Sequence, residues 1–188
     1  MSRLFQYGGI VASVVLIAFG AGCIVTGYNG RDRVHNDLAR EQIVGTPDSS
    51  IPNQLVNNGT KAEAFAKVMR KHTLEATGGQ TYAQMPRYMG KNGKPTNDEK
   101  AAAVDPKSGK PVDNPLRNLW VTETALTTAL HSSYFAESVA TFAMVMGVAL
   151  MLTGAGFLVL TLRVLRVFGR EKETPEPAVA RGEAVLSS

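Results

Sequence analysis

Cysteine, histidine and tryptophan are scarce in this sequence: its 188 residues include one cysteine, three histidines and one tryptophan. The single cysteine, Cys23, excludes a disulfide within the chain. The sequence has no G-x-S-x-G elbow, and its Gly-rich stretches lack the strand, loop and lysine of a phosphate-binding loop. These absences point away from nucleophilic catalysis and from nucleotide hydrolysis.

Charged residues are absent from two long stretches, residues 4–30 and 138–162, and the segment between them is polar. Each stretch exceeds the about 20 apolar residues that an α-helix needs to cross a bilayer. The pattern predicts an all-α membrane protein with transmembrane helices over residues 7–29 and 133–162 and a small helical domain between them. Because this domain, residues 30–132, has few large apolar side chains, we expect it to depend on its helical stems, another copy or a partner.

Basic residues beside the two spans predict the orientation of the chain. Arg3 lies in the short N-terminal segment 1–6, and four basic residues follow the second span: Arg163, Arg166, Arg170 and Lys172. We therefore place both termini in the cytoplasm and the central domain outside it, in a bacterial plasma membrane. The four basic residues are candidates for binding lipid headgroups, and the rest of the segment 163–188 is predicted to be a disordered tail. The net charge of +4 does not indicate nucleic acid binding.

The end of the first span resembles part of a lipidation signal. The sequence GAGC at residues 20–23 is similar to a bacterial lipoprotein box, in which Cys23 would be acylated. The residues that follow, IVTGY, stay apolar, which favours an uncleaved anchor with Cys23 buried among small residues. Lipidation of Cys23 remains the alternative.

One amphipathic helix is well marked in the central domain. Thr60 and Glu63 have the spacing of a capping box, and apolar residues recur on one face after them. Gly78 can take the left-handed conformation that commonly ends a helix. The pattern predicts a helix over residues 61–77.

Turn-forming residues and a second helix start follow. Residues 90–114 are rich in Gly, Pro, Asn, Asp and Lys, which predicts a mobile loop or hairpin. Asn114 and Pro115 are typical of an N-cap and a first helical position. The helix that begins there is expected to run with little interruption into the second span.

Small residues recur at three-, four- and seven-residue spacing in the second span, and a pair occurs in the first. Small side chains let two helices approach closely within a membrane, either within one chain or between copies. The candidates for helix packing are Ala18, Gly22, Ala136, Ala140, Ala143, Gly147 and Gly154.

Two segments resemble a known family. HTLEATGGQTYAQM at residues 72–85, followed by NPLRN at residues 114–118, is similar to motifs of small actinobacterial two-span membrane proteins that are often labelled aromatic ring-opening dioxygenases. The family-like positions are His72, Glu75, Gly78, Gly79 and Tyr82. The resemblance implies two spans and a membrane setting but supplies no catalytic residues.

A ring-opening dioxygenase commonly needs two histidines and a carboxylate around a non-haem iron. The histidines of this chain are His35, His72 and His131, and Glu75 or Glu123 could supply the carboxylate. His72 and Glu75 form only an i, i+3 pair of the kind that many helices contain. We therefore expect no metal, no cofactor and no enzymatic activity.

The remaining features favour a structural role. Glu137, near the outer end of the second span, is expected to be a solvated interfacial carboxylate. The favoured interpretation is a non-enzymatic accessory or scaffolding subunit, either a homo-oligomer or part of a larger envelope complex, in contact with membrane lipids. The alternative is a protein that binds lipid or another hydrophobic ligand in a cleft between the stems, near His35 and His131. A non-haem iron dioxygenase is the third and least favoured interpretation.

Overall fold

The computed structural model describes residues 2–170. Three helices make up most of it: α1 (Ser2–Arg40), α2 (Gly59–Ala76) and α3 (Pro115–Arg170). A short antiparallel hairpin of β1 (Tyr88–Met89) and β2 (Pro95–Thr96), followed by a 3-10 turn at Glu99–Ala101, lies between α2 and α3 in the chain. The protein is mostly helical, as predicted, and the small sheet is an addition that the all-α prediction lacked.

Two of the helices are long and apolar enough to cross a membrane. The candidate spans are Tyr7–Arg40 within α1 and Pro115–Val164 within α3, and they contain the predicted spans. Many of their large apolar side chains are exposed, among them Phe19, Phe142 and Leu152. Exposure on this scale is unusual for a helix in the core of a soluble protein and is compatible with a lipid environment.

The described residues fall into two compact units. The first, called here the two-helix unit, comprises the described residues of the ranges Met1–Val25 and Ala143–Ser188, and the second, the head, comprises Thr26–Phe142. The core of the head brings together Leu38 of α1, Ala62 and Ala66 of α2, Leu130 of α3, and Val56 from the segment before α2. This core is small, and hydrogen bonds and ion pairs also link the elements of the head.

The first turn of α2 differs from the prediction. Asn58, in extended backbone, accepts a hydrogen bond from the Lys61 N–H through Oδ1 at 2.9 Å and is the N-cap. Thr60, the predicted cap, lies inside the first turn. The predicted capping box was wrong because α2 begins at Gly59, and Asn caps a helix at least as well as Thr.

The end of α2 agrees with the prediction. Gly78 has a φ of +63°, and its N–H donates to the Glu75 carbonyl at 3.2 Å. The N–H of Gly79 reaches back to the Leu74 carbonyl at 2.7 Å. Together these bonds form a Schellman stop, which binds carbonyl groups that the helix end leaves unpaired.

The start of α3 also agrees. Asn114 is buried, and its Oδ1 accepts a hydrogen bond from the Leu116 N–H at 3.1 Å. Pro115 is the first helical residue, and α3 then continues without a break to Arg170.

The segment 90–114, predicted as a mobile loop or hairpin, contains strand β2 and further isolated bridges. Gly90 pairs with Ala102, and Val104 pairs with Pro111. Met89 of β1 donates to the Val112 carbonyl at 2.9 Å. The segment therefore has backbone pairing along its length, and its mobility stays a prediction.

Candidate functional site

A carboxylate on α3 contacts both other helices of the head. Glu137 Oε1 accepts a hydrogen bond from Arg31 Nε at 3.0 Å and contacts His35 Nε2 at 2.8 Å, both on α1. Its Oε2 accepts the backbone N–H of Gly59, the first residue of α2. The side chain is 13% exposed, so the expectation of a solvated carboxylate was wrong. These four residues are called here the Glu137 junction.

The junction pairs groups that helix formation leaves without partners. The first N–H groups of an α-helix have no intrahelical acceptor, and the helix dipole favours an anion there. Glu137 supplies that anion to α2 from a different helix. An ionised carboxylate only accepts hydrogen bonds, so the contact assigns the proton of the His35 ring to Nε2.

Gly59 allows α2 and α3 to approach closely at the junction. A Cβ added to Gly59 would lie 2.7 Å from the Cα of Tyr134 and 2.9 Å from Glu137 Oε2. The Tyr134 Cα is backbone and cannot move aside without moving α3. Glycine at position 59 is therefore part of the junction geometry.

The family-like segment forms a corner against the first turns of α3. The Gln80 carbonyl accepts the indole N–H of Trp120 at 3.0 Å. The Arg117 guanidinium lies 4.0 Å from the centre of the Tyr82 ring and donates to the Met85 carbonyl at 3.1 Å. The two segments that carry the family resemblance therefore contact each other, and their residues position α2 relative to α3.

A second polar cluster links the turn after α1 to α2. Asp48 Oδ2 accepts a hydrogen bond from Lys71 Nζ at 2.9 Å and contacts His72 Nε2 at 2.9 Å, and Thr46 donates to Oδ1 at 2.8 Å. The Lys71 ammonium, helped by His72 and Thr46, holds the pKa of Asp48 well below its usual range. The Asp48 carboxylate in turn raises the pKa of Lys71. Because the cluster is exposed, solvent and salt weaken these interactions.

We predict that Asp48 loses its stabilising effect in acid. Its folded-state pKa is lowered from the usual 3.8, so its contribution is present above about pH 4 and declines as pH falls toward the folded pKa. Asp48→Asn should therefore lower the melting temperature near neutral pH, and its difference from wild type should narrow progressively below about pH 4. Melting curves across this range at low and high salt would measure the effect.

The matched control for this prediction is Asp32→Asn. Asp32 is an exposed carboxylate on α1 whose hydrogen bond comes from the neutral amide of Asn36. Asp32→Asn should change the melting temperature only slightly from that of wild type at every pH. A destabilisation by Asp48→Asn that is the same at all pH values would contradict the assigned role of the carboxylate charge.

An apolar pocket of about 650 Å³ lies between the three helices of the head. Its volume falls in the range of about 300–1,000 Å³ that is common for ligand sites. The lining is mostly apolar, apart from Ser133 and two carboxylates at the end of α1 and just after it. The lining residues are Asp37, Leu38, Glu41, Ile43, Phe65, Met69, Leu126, Ala129, Leu130 and Ser133.

The pocket lies close to the cleft that was predicted near His35 and His131. Leu130 and Ser133, on either side of His131, line it, whereas the two histidines themselves do not. His35 is bound in the Glu137 junction, and His131 is exposed. The pocket results from packing three helices, and no motif in the sequence marks it.

The candidate iron ligands of the third interpretation contact different partners and not one another. His72 is bound to Asp48, and Glu75 lies 3.9 Å from Lys71. Glu123 is buried and accepts a hydrogen bond from its neighbour Thr124 at 3.3 Å. Over residues 2–170, no group of three or more His, Cys, Asp or Glu side chains is placed to hold a metal ion.

Close helix packing within the two-helix unit is centred on glycines. A Cβ on Gly20 would lie 2.6 Å from the Gly147 carbonyl oxygen, and the converse distance is also 2.6 Å. A Cβ on Gly154 would lie 2.9 Å from the Ser13 carbonyl oxygen. Ser13 and Gly20 were not among the predicted packing residues, although their seven-residue separation matches that of Gly147 and Gly154.

The other predicted packing residues are distributed differently. Ala18 and Ala136 are exposed, as is Gly22, where an added Cβ would have no atom within 4 Å. Ala140 is buried within the head, 3.7 Å from a Cβ position on Gly30. Ala143, in the two-helix unit, is half-buried.

The remaining candidates lie at the ends of the spans. Cys23 is half-buried, and its Cβ lies 3.1 Å from a Cβ position on Gly147. Arg163 is exposed. Arg166 and Arg170 belong to the last turns of α3, while their side chains, the whole of Lys172 and the predicted tail beyond it lie outside the described residues.

Comparison with protein-family models, with curated proteins and with solved structures finds no match for this chain.

Proposed function

We propose that the protein is a non-enzymatic accessory or scaffolding subunit of a bacterial plasma membrane, either self-associated or within a larger envelope complex. The observation that carries the proposal is an apolar stripe on α3, formed by Leu116, Leu119 and Leu126. These side chains share one face of the helix and are 39–50% exposed, although they precede the predicted span. Soluble surfaces rarely leave such residues together without a partner, so the stripe favours an interaction surface.

Orientation and family setting belong to the same proposal. The basic residues near both ends favour cytoplasmic termini and an extracytoplasmic head. The resemblance to small actinobacterial two-span proteins agrees with this arrangement. The small core of the head supports a need for further contacts, since a domain of this kind gains stability from a partner.

The test is the composition of the particle that contains the protein. The tagged chain, at its native expression level, is extracted in a gentle detergent, and the mass and components of the intact particle are measured. We expect either a fixed number of copies or stoichiometric foreign subunits. A particle holding one copy of the chain and only lipid would contradict the proposal.

Variants of the α3 stripe sharpen this test. Leu116→Ser combined with Leu119→Ser should raise the dissociation constant of the particle by roughly tenfold or more. Buried leucines at an interface contribute on the order of 1 kcal/mol each. Val121→Ser is the control, since Val121 is 56% exposed and points to the other side of α3. Equal dissociation by the double variant and the control would remove the stripe from the interface.

We propose binding of a hydrophobic ligand as the second candidate function. The specific observation in its favour is the apolar pocket between α1, α2 and α3. The two functions are compatible, because the pocket includes only one residue of the stripe, Leu126. Recovery of a stoichiometric apolar ligand with the purified protein would support this function.

A further inference from the structure

We infer that the head pocket takes a single apolar chain with a cationic head group of the alkylammonium class and discriminates against the same chain with an anionic head group. This inference rests on the proposed ligand-binding function and names the ligand class of that same site.

The shape of the pocket favours a chain over a docked helix. An α-helix with side chains is about 10 Å wide, so a volume of 650 Å³ would hold roughly 8 Å of it, which is about five residues. An amphipathic helix needs at least two turns to place successive anchors in a groove. A flexible hydrocarbon chain can fill the same volume completely.

The walls supply apolar contact on three sides. Leu38 comes from α1, Phe65 and Met69 from α2, and Leu130 from α3. Met69 adds a flexible thioether that adjusts to ligands of irregular shape. The side of the pocket formed by α3 continues to Ser133, where the second span is predicted to begin, so an amphiphile at the membrane surface would have a short route to it.

The charges of the lining residues select the head group. Asp37, in the last turn of α1, and Glu41, just after the end of α1, are the charged residues among the lining residues. Asp37 is bound by Arg40 at 3.2 Å, but both side chains in that pair are more than half exposed. Glu41 also lines the pocket, and none of the ion pairs among the described residues involves it. A cationic head is attracted to this edge, and an anionic head is repelled from it.

The expected selectivity is modest because the carboxylates are exposed. Exposed charge pairs contribute up to about 1 kcal/mol each, so two carboxylates should favour the ammonium over the carboxylate head by roughly 3- to 20-fold. The preference should shrink as salt is raised, since salt screens exposed charges. Contact with the apolar walls should contribute equally to the affinity of the two ligands, because their hydrocarbon chains are the same.

The experiment uses the full chain in lipid nanodiscs and two photoreactive probes of equal chain length, a diazirine alkylamine and a diazirine fatty acid. After illumination, labelled peptides are identified and quantified by mass spectrometry. We expect the amine probe to label the peptides that contain Ile43 or Met69 more strongly than the fatty acid probe does. Ala129→Trp, which places a large ring in the pocket, should reduce this labelling by roughly tenfold, whereas Ala125→Trp, one turn away and outside the lining, should not.

Charge variants test the head-group preference separately from the walls. Asp37→Asn with Glu41→Gln should bring labelling by the two probes to within about twofold of each other, because it removes both lining charges. Asp32→Asn, elsewhere on α1, should leave the preference unchanged. All of these positions are exposed, so the variants are expected to fold, and a melting curve for each one verifies this.

The failures are distinguishable. If neither probe labels the pocket peptides, or if Ala129→Trp and Ala125→Trp behave alike, ligand binding itself is overturned. Pocket labelling that is equal for both probes, or stronger for the fatty acid, would overturn the charge selectivity and leave ligand binding standing. A photoreactive residue at position 129 that captures another protein chain would assign the pocket to a protein partner and overturn the inference.

Discussion

Replacing Gly147 with leucine is expected to separate α1 from α3 in the two-helix unit, whereas the same change at Gly156 is not. A Cβ at position 147 would lie 2.6 Å from the Gly20 carbonyl oxygen and 2.7 Å from Ile24 Cγ1. The carbonyl is helix backbone, so the added atoms can be accommodated only if the helices move apart. Gly156, on the same helix, has nothing within 4 Å of its Cβ position.

The expected effect at Gly147 is large. Overpacking a close contact commonly costs about 1–3 kcal/mol, and helix association in membranes depends on the close approach that small residues permit. Leucine adds three more carbon atoms beyond the Cβ, so we expect an effect at the upper end of that range. The same reasoning predicts a large effect for Gly20→Leu and a small one for Gly22→Leu, since Gly22 has open space around it.

Cys23 provides a built-in probe for this prediction. It is half-buried beside Gly147 and is the single cysteine of the chain. In a mild detergent, Gly147→Leu should increase the rate at which Cys23 reacts with a maleimide and lower the melting temperature. Gly156→Leu should change neither quantity. Equal maleimide rates for the two variants would show that the contact between the helices does not depend on Gly147.

Local signals in the sequence were sufficient for the helix ends that are closed locally. The Gly78 and Gly79 stop of α2 and the Asn114–Pro115 start of α3 were predictable because each uses hydrogen bonds between residues close in sequence. The start of α2 was misplaced although its N-cap, Asn58, is also local, because Asn58 and Thr60 are both acceptable caps. The first N–H of α2, at Gly59, is bound by Glu137, which is 78 residues away and invisible to a capping pattern.

Close helix packing at small residues was predicted, but the contact positions on α1 differ from the predicted ones. Gly147 and Gly154 lie in the contact, whereas Gly20 takes the place that Ala18 and Gly22 were expected to fill. A shift of two residues turns a side chain by about 200° around the helix, so spacing within one helix cannot identify which face meets the other. A cleft between the stems was predicted, but the wall that Phe65 and Met69 of α2 supply was not, because α2 is distant in sequence from α3.

Glu137→Ala is expected to destabilise the head more than alanine at any Asp or Glu of the head that is not buried. The substitution leaves the Arg31 guanidinium, the His35 ring N–H and the Gly59 N–H without their shared acceptor. Removing one partner from a fully buried charged pair costs about 3–5 kcal/mol. Here the Arg31 and His35 side chains are 48% and 34% exposed, so water replaces part of the interaction and we expect about 2 kcal/mol.

Glu137→Gln separates the charge from the hydrogen bond. Glutamine keeps an acceptor oxygen for the Gly59 N–H but loses the ion pair with Arg31 of α1, so we expect an intermediate loss of about 1 kcal/mol. The free energy of unfolding of both variants would be measured on the full chain in chemical denaturant, with hydrogen exchange of the α2 amides as the readout. Glu75→Ala is the control, since Glu75 is exposed and lies 3.9 Å from its nearest ion partner.

A double-mutant cycle between Glu137→Ala and His35→Ala tests the junction directly. The two side chains are 2.8 Å apart, and residues in one hydrogen-bond network show coupling energies of about 0.5–3 kcal/mol. Coupling in this range would establish that α1 and α3 stabilise the start of α2 through one carboxylate. Additive losses, or a Glu137→Ala effect no larger than that of Glu75→Ala, would mean that Glu137 is present at the junction without stabilising it.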